Sequence, residues 1–166
     1  MRHGVSDAVR EADARMGPAW CPGSMAGCCC QVLLPHLWPV VIDDIDCVDG
    51  ALVIAAHPRA RGSRCRRCGR ASTRVHSRYR RQLADLPVAG RPVVVCLMVR
   101  RFFCDYVDCS AGTFVEQMPG LTERHARRSP GLQTALVAIA LALTGRAGSR
   151  LAAKLEMGVS SSSCCG

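Results

Sequence analysis

The order of hydrophobic and polar positions predicts a β-rich middle part of the chain. The runs VVIDDID and ALVIAAH flank Asp49 and Gly50, a dipeptide typical of tight turns, and so predict a β-hairpin. After a turn at LPVAGRP, the run VVVCLMV is apolar at every position, which predicts a strand buried on both faces. That strand continues through RRFF directly into Cys104.

Between these strands, the run STRVHSRYR alternates with a period of two and predicts another strand. Strict alternation would place one set of side chains on a single face, and this set is entirely basic: Arg74, His76, Arg78 and Arg80. A strand face of this kind favours contact with an anion.

The period changes to that of helices after TFVEQMPG. The run SPGLQTALVAIALAL predicts a buried helix with Ser129 as N-cap and Pro130 at its first position, ending at Gly145. The run AGSRLAAKLEMG predicts a second helix that ends at Gly158. Two helices joined by a tight glycine-containing turn are typical of a helix-turn-helix. The final SSSSCCG lacks helical periodicity, so we expect the recognition helix to be cut short there.

The composition adds two constraints. Aromatic residues make up only 4% of the chain, so the core must consist of smaller side chains, and such cores often need a metal or a partner. The segment MRHGVSDAVREADAR is polar rather than apolar, unlike a signal peptide, and the longest apolar run (132–143) is too short to span a bilayer. We therefore expect a cytoplasmic protein without a membrane segment, in which cysteines stay reduced.

The predicted fold class is α+β, in three parts. Residues 1–30 carry glycine, proline and a CCC triplet without sustained periodicity, and are expected to be a disordered or mis-called N-terminal extension. Residues 31–119 contain a CxxC pair, Cys65 and Cys68, and a second pair, Cys104 and Cys109, and are expected to form a zinc-ribbon-like β domain held together by a four-cysteine zinc site. Residues 120–166 are expected to form a helical segment, a truncated helix-turn-helix.

Positive charge is concentrated in one block. Residues 57–104 contain thirteen arginines and one acidic residue, Asp85, for a net charge of +12, whereas residues 1–56 have a net charge of −4 and residues 105–166 of +1. Because the rest of the chain is balanced or acidic, the block indicates a polyanionic partner rather than a generally arginine-rich surface.

Four cysteines lie at metal-binding spacing within and just beyond this block. Cys65 and Cys68 form a CxxC pair followed by Gly69, and Cys104 and Cys109 form a looser second pair after the apolar strand. Four thiolates from two loops are typical of a zinc ribbon, and they leave no open position for water, so the predicted Zn²⁺ is structural.

Other uses of these residue types are less well supported. A thioredoxin-like redox role for the CxxC pair would need a flanking βαβ pattern, which is missing. His76 could replace one cysteine as a ligand, but four thiols suffice. Cys47 and Cys96 lie among apolar strand residues and are expected to be inert core thiols. The acidic cluster Asp43, Asp44, Asp46 and Asp49 lies in a predicted hairpin, where we expect no catalytic role.

Six segments together resemble one known family, the bacterial insertion-sequence transposases of the ISL-three type. In order, they are LLPHL, CRRCG, VHSRYRRQLADLPVAGRPV, VRRFFCDYVDC, TFVEQMPGLTERHARR and GRAGSRLAAKLEMGVS, and they extend from about Leu33 to Ser160. The resemblance implies an N-terminal zinc-binding domain and a helix-turn-helix that precede a DDE-type catalytic domain. It also implies that Cys65, Cys68, Cys104 and Cys109 are the zinc ligands. The catalytic domain of that family would follow Gly166, so we expect a transposase fragment that is not an enzyme.

The expected function is binding of transposon-end DNA, mainly through its phosphates. The expected target is the terminal inverted repeats. We also expect the chain to associate with itself or with a full-length transposase. The expected contacts are Arg74, His76, Arg78, Arg80, Arg81, Arg100, Arg101, Arg146, Arg150 and Lys154. Two alternatives remain open: a zinc-ribbon module that docks on an acidic protein, and a pseudogene product with no role. Steep salt dependence would favour DNA over an acidic protein.

Overall fold

The computed structural model describes residues 34–143 and 145–157, and within them the chain is mostly β-sheet. A 3₁₀ turn at Pro35–Leu37 precedes the first strand. The strands are β1 (Val40–Val48), β2 (Ala51–Pro58), β3 (Ser63–Arg64), β4 (Ala71–Ser72), β5 (Val75–Val88), β6 (Arg91–Phe103) and β7 (Thr113–Val115). Two helices follow, α1 (Pro130–Ala142) and α2 (Arg146–Lys154).

The main sheet has five strands in the order β1-β2-β6-β5, with β7 also paired to β6. The predicted β1–β2 hairpin is confirmed, and Asp49 and Gly50 both have positive φ angles, of 50° and 82°, as a tight hairpin turn requires. The pairing of β2 with β6 is parallel, which the sequence did not predict. Because β5 lies along one side of β6, β2 and β7 share the other side.

Strand β6 is the centre of the core, but it is not buried on both faces as predicted. Alternate side chains from Val93 to Val99 are at most 2% exposed, whereas Val94, Cys96 and Met98 between them are only half-buried. The buried set packs with Leu37 of the 3₁₀ turn and with Leu121. Only this face of the central strand is therefore fully covered, and the continuous apolar run is compatible with a one-sided core.

The two other cysteines of the sheet differ in environment. Cys96 is half-buried, and burial raises the pKa of its thiol. Cys47 was expected in the core but is exposed, because β1 is an edge strand, and its sulfur accepts a hydrogen bond of 2.9 Å from Arg91. The apolar neighbours of Cys47 in sequence therefore gave a wrong prediction for this residue.

Helix α1 begins as predicted but is not buried. Ser129 caps it by accepting a hydrogen bond from the N–H of Leu132, and Pro130 occupies the first position. Within the described residues, Leu132 is the only fully buried side chain of the helix, and Leu141 is 82% exposed. Helix α2 packs on α1 through Gly148, and its Ala152 is also buried. Residues 158–166, in which the shortened recognition helix was expected, lie outside the described residues. No helix in the described ranges is long and apolar enough to cross a membrane.

A buried carboxylate connects three parts of the fold. Asp85, at 3% exposure near the end of β5, lies 2.5 Å from Nε2 of His36 and accepts a 2.5 Å hydrogen bond from the hydroxyl of Ser129. Burial alone would raise the pKa of Asp85, but hydrogen bonds from His36, Ser129 and the N–H of Leu86 outweigh it and lower that pKa. The ionised carboxylate thus joins the 3₁₀ turn and the start of α1 to the sheet.

We predict that Asp85→Asn destabilises the fold by about 1–3 kcal/mol at pH 7, because buried hydrogen-bonding groups lose an acceptor. The folded pKa is below the ordinary value of about 3.9, so this stabilisation is fully present above that pH and is lost as pH falls through the folded pKa. Urea unfolding of the three proteins, in steps from pH 7 to pH 3, should show that the difference in unfolding free energy between wild type and Asp85→Asn narrows in acid. Asp46→Asn, at an exposed edge position, is the control. Equal effects of both substitutions would contradict the assignment.

Candidate metal centre and the basic surface around it

The first cysteine pair lies in a tight loop between the short strands β3 and β4. The N–H of Gly69 donates to the carbonyl of Cys65 at 2.8 Å, and the N–H of Cys65 donates to the carbonyl of Arg70 at 2.8 Å. Gly69 has a φ of +73°, a conformation that glycine adopts without the penalty of a side chain. The CRRCG sequence therefore closes on itself and turns both thiols to the same side.

The second pair lies in the loop between β6 and β7. Cys104 directly follows β6, and its N–H donates to the carbonyl of Gly112 at 2.8 Å. The N–H of Cys109 donates to the carbonyl of Tyr106 at 2.9 Å. Because β7 pairs back onto β6, this loop is held against the end of the main sheet, beside the first pair.

The four thiols have the geometry of a tetrahedral zinc site. All four sulfur atoms lie within 4.8 Å of one another, with 3.8 Å between Cys65 and Cys109 and 3.6 Å between Cys68 and Cys104. Four sulfurs at about 2.3 Å from a tetrahedral zinc ion are about 3.8 Å apart, whereas a disulfide would bring two of them to about 2.05 Å. The residues present fit Zn²⁺, and these four cysteines form a candidate zinc site.

The electrostatics of the cluster favour thiolate formation at Cys65. Hydrogen bonds from the N–H groups of Cys68 and Arg67 lower the pKa of Cys65 to about 6. At Cys104, the N–H of Tyr106 acts in the same direction, but burial and the neighbouring thiols raise the pKa to about 12. Four adjacent thiols cannot all lose their protons without a cation, and a zinc ion supplies the charge that they require.

Little apolar packing supports the two loops. Their buried cluster consists of Cys65, Phe102 and Phe114, with the two rings stacked at 5.8 Å between centroids. Polar contacts also cross between the loops: Arg67 donates to the hydroxyl of Ser110, and the guanidinium of Arg70 lies 4.0 Å from the centroid of the Tyr106 ring. Some arginines of the basic block therefore stabilise the candidate zinc site instead of pointing freely to solvent.

The basic residues of β5 do not share one face as predicted. A bulge at His76 shifts the register, so that Val75 pairs with Phe102 and Arg78 with Arg100, two residues on the same face of β6. Val75 therefore lies on the face that carries Arg78. Arg74, at the other side of the bulge, forms a 2.6 Å ion pair with Asp105 and lies 4.4 Å from the centroid of the Phe103 ring.

Two predicted contact residues have internal partners. Arg100 is 15% exposed and forms a 2.8 Å ion pair with the buried carboxylate of Glu116, and its guanidinium also donates to the carbonyls of Ala60 and Arg61. These bonds satisfy the Arg100 guanidinium within the protein. Arg81 donates to the carbonyls of Glu123 and Ala126, which fixes its guanidinium against the loop that follows β7.

The other residues predicted to contact DNA are exposed. Arg101 projects from the end of β6. Arg146, Arg150 and Lys154 follow one another at intervals of four along α2 and form a basic stripe, away from the buried Gly148 and Ala152. These three residues therefore share one face of α2. Among the described residues, none of them contacts a cysteine of the thiol cluster.

Sequence reasoning missed a second basic segment beside β5. The N–H of Ala84 donates to the carbonyl of Arg127 at 2.9 Å, so the run ERHARR (123–128) lies along the outer edge of that strand. Residues 125–127 and residues 79–82 line one cleft. The four basic residues of ERHARR were a usable signal, but they lie outside the arginine block and have no strand pattern of their own.

Comparison with known proteins supports the zinc-binding region. Residues 61–109, which contain all four cysteines, match the family described as the zinc-finger of transposase IS204/IS1001/IS1096/IS1165. A comparison with curated proteins and one with solved structures gave no match. The matched segment covers the two loops and strands β5 and β6 between them, so this part of the chain is similar to a transposase zinc finger.

We predict one Zn²⁺ per chain, and loss of the zinc and of the folded loops in Cys68→Ser. Structural zinc contributes about 10–16 kcal/mol in small fingers, more than this small cluster of buried side chains can replace. Metal analysis of the reduced protein and circular dichroism before and after chelation measure both effects. Cys96→Ser changes the same atom in a half-buried thiol outside the cluster and should keep full zinc content. Zinc-free wild type, or a spectrum insensitive to chelator, would contradict the site.

Proposed function

We propose that this chain is a zinc-stabilised DNA-binding region of a transposase, which binds transposon-end DNA mainly through phosphate contacts. The observation that carries the proposal is the position of the arginine block: it surrounds the four-thiol cluster, in the segment that matches a transposase zinc finger. Phosphate contacts dominate the affinity of proteins for DNA, and arginine is well suited to them.

Several arginines of the block are available for such contacts. Arg66 on the first loop, Arg78 on β5 and Arg101 on β6 are exposed, and their side chains make no hydrogen bond or ion pair among the described residues. An arginine that already has a protein partner would lose that interaction on contacting DNA, whereas these three arginines would gain phosphate partners. They are therefore the residues we assign first to the backbone of DNA.

The zinc ion has a structural role in this proposal. Cys65, Cys68, Cys104 and Cys109 would hold one Zn²⁺ in a closed shell, which leaves no coordination position for a water nucleophile. The ion would fix two arginine-rich loops against their mutual repulsion. Asp43, part of the acidic cluster, lies on the exposed edge strand β1 within 2.7 Å of His57, and we assign it no part in catalysis. The region acts by binding DNA, not by cutting it.

Helices α1 and α2 would extend the contact surface. The stripe formed by Arg146, Arg150 and Lys154 on α2 suits the backbone contacts that the first helix of a helix-turn-helix makes where it crosses the DNA. The target would be the terminal inverted repeats, read in association with a full-length transposase or with a second copy. This arrangement would place the chain on the bacterial chromosome.

The proposal predicts zinc-dependent, salt-dependent binding to duplex DNA. Because the proposed contacts are made to phosphates, inverted-repeat and scrambled duplexes should bind alike, with dissociation constants of about 10⁻⁴–10⁻⁶ M at physiological salt. Fluorescence polarisation with both duplexes, over a series of salt concentrations, measures the binding constants. In a plot of log binding constant against log salt concentration, Arg78→Gln should reduce the steepness of the slope by about 0.9.

Two controls make the experiment decisive. Cys96→Ser should bind as the wild type does, whereas chelated protein should lose binding together with its fold. Binding to an acidic protein that is stronger than binding to either duplex would favour the protein-docking alternative. A preference of about a hundredfold for the inverted repeat, or 2.7 kcal/mol, would show that the described region reads sequence itself.

A further inference from the structure

We propose that the cleft between residues 79–82 of β5 and residues 125–127 is a second phosphate-binding site, which holds consecutive phosphates of one nucleic-acid strand. This inference rests on the proposed function and adds a site to it. The cleft is at the outer edge of the sheet, whereas the four thiols are beyond the end of β6. Its volume of about 660 Å³ is typical of sites for molecules larger than a single ion.

The lining of the cleft has the charge of an anion site. Among the described residues that line it are three arginines (Arg80, Arg81 and Arg127) and His125, and none is acidic. The side chain of Arg127 is exposed and makes no hydrogen bond or ion pair within the described part of the chain. A cleft lined by one sign of charge concentrates counter-ions, so an anion is the ligand that this surface favours.

The second wall of the cleft is held firmly in place. Arg81 donates to the carbonyl of Ala126 at 2.6 Å and to that of Glu123, while the backbone of Ala84 pairs with Arg127 and, through its carbonyl, with the N–H of Ser129 at 2.9 Å. These bonds attach the ERHARR segment to β5 from both sides of the cleft. The backbone that carries His125 and Arg127 is therefore positioned before any ligand arrives, which reduces the entropy lost on binding.

His125 adds a hydrogen-bond donor to the cleft. Its Nε2 accepts a 2.9 Å hydrogen bond from Nε of Arg124, which assigns the ring hydrogen to Nδ1. The residue has a φ of +61°, in the left-handed region that few non-glycine residues adopt. An unusual backbone conformation at a residue that lines a basic cleft is consistent with a binding role.

The length of the basic surface favours a polymer over a free ion. Arg78 and Arg80 lie on one face of β5 and lead into the cleft, and the four steps from residue 78 to residue 82 cover about 13 Å at about 3.3 Å per residue. Along one strand of duplex DNA, phosphates follow each other every 3.4 Å of helix axis while winding around it, so a row of this length faces more than one phosphate. The ligand class is therefore a nucleic-acid backbone.

Arg127→Gln and Arg128→Gln test the site as a matched pair. Both remove one charge from the same segment, but only the side chain of Arg127 lines the cleft. With a scrambled 16-base-pair duplex, Arg127→Gln should lower the log–log salt slope by about 0.9, so that the wild type loses about 3.5-fold more affinity than this variant between 50 and 200 mM salt. Arg128→Gln should keep the wild-type slope.

A second measurement makes the result independent of the variants. In nuclear magnetic resonance spectra of the zinc-loaded protein, the duplex should shift the amide signals of Ala84, Ala126 and Arg127. Duplex binding with an unchanged slope in Arg127→Gln, or an equal loss in both variants, would overturn the cleft while leaving the proposed function intact. If the wild type binds no duplex even at 50 mM salt, the proposed function fails, and the cleft inference with it.

Discussion

The four thiols of Cys65, Cys68, Cys104 and Cys109 meet where the main sheet has no further strand to hold its end together. The loops that carry them are joined to the sheet by two-residue strands, by the three-residue β7 and by a small cluster around Phe102. Arginines are concentrated at this end, and their repulsion opposes the approach of the loops. A zinc ion bound by four thiolates outweighs that repulsion, because its binding energy exceeds the total stability of many domains.

Arginine has two distinct uses in this fold. Arg100 and Arg81 are fixed by carbonyl groups or by a buried carboxylate and connect loops to strands. Arg66 and Arg78 are exposed without such partners among the described residues. Counting positive charges in the sequence does not separate these uses, since Arg100 looks no different from Arg101 beside it. Only the burial of Glu116 opposite Arg100 shows which guanidinium is already satisfied.

Local signals in the sequence predicted local structure well. Asp49 and Gly50 specify their turn through positive φ angles, and Ser129 and Pro130 specify the start of α1, because each depends on one or two residues alone. The thiol cluster was also predictable, since four cysteines at this spacing have few other uses. The role of Asp85 was not predictable, because its partners His36 and Ser129 lie more than 40 residues away in opposite directions along the chain.

The strand register and the strand pairing could not be predicted either, because both depend on residues that are far apart in the sequence. The bulge at His76 moves Val75 to the face of Arg78, and no turn residue marks it in the sequence. The parallel pairing of β2 with β6 needs a long connection, and the chain fills that connection with β3, β4, β5 and the first cysteine pair. The first pair of thiols thus belongs to the crossover, while the second follows the strand that the crossover reaches. Binding of one ion by both pairs joins the beginning of this long connection to the end of β6, so the metal and the sheet topology stabilise each other.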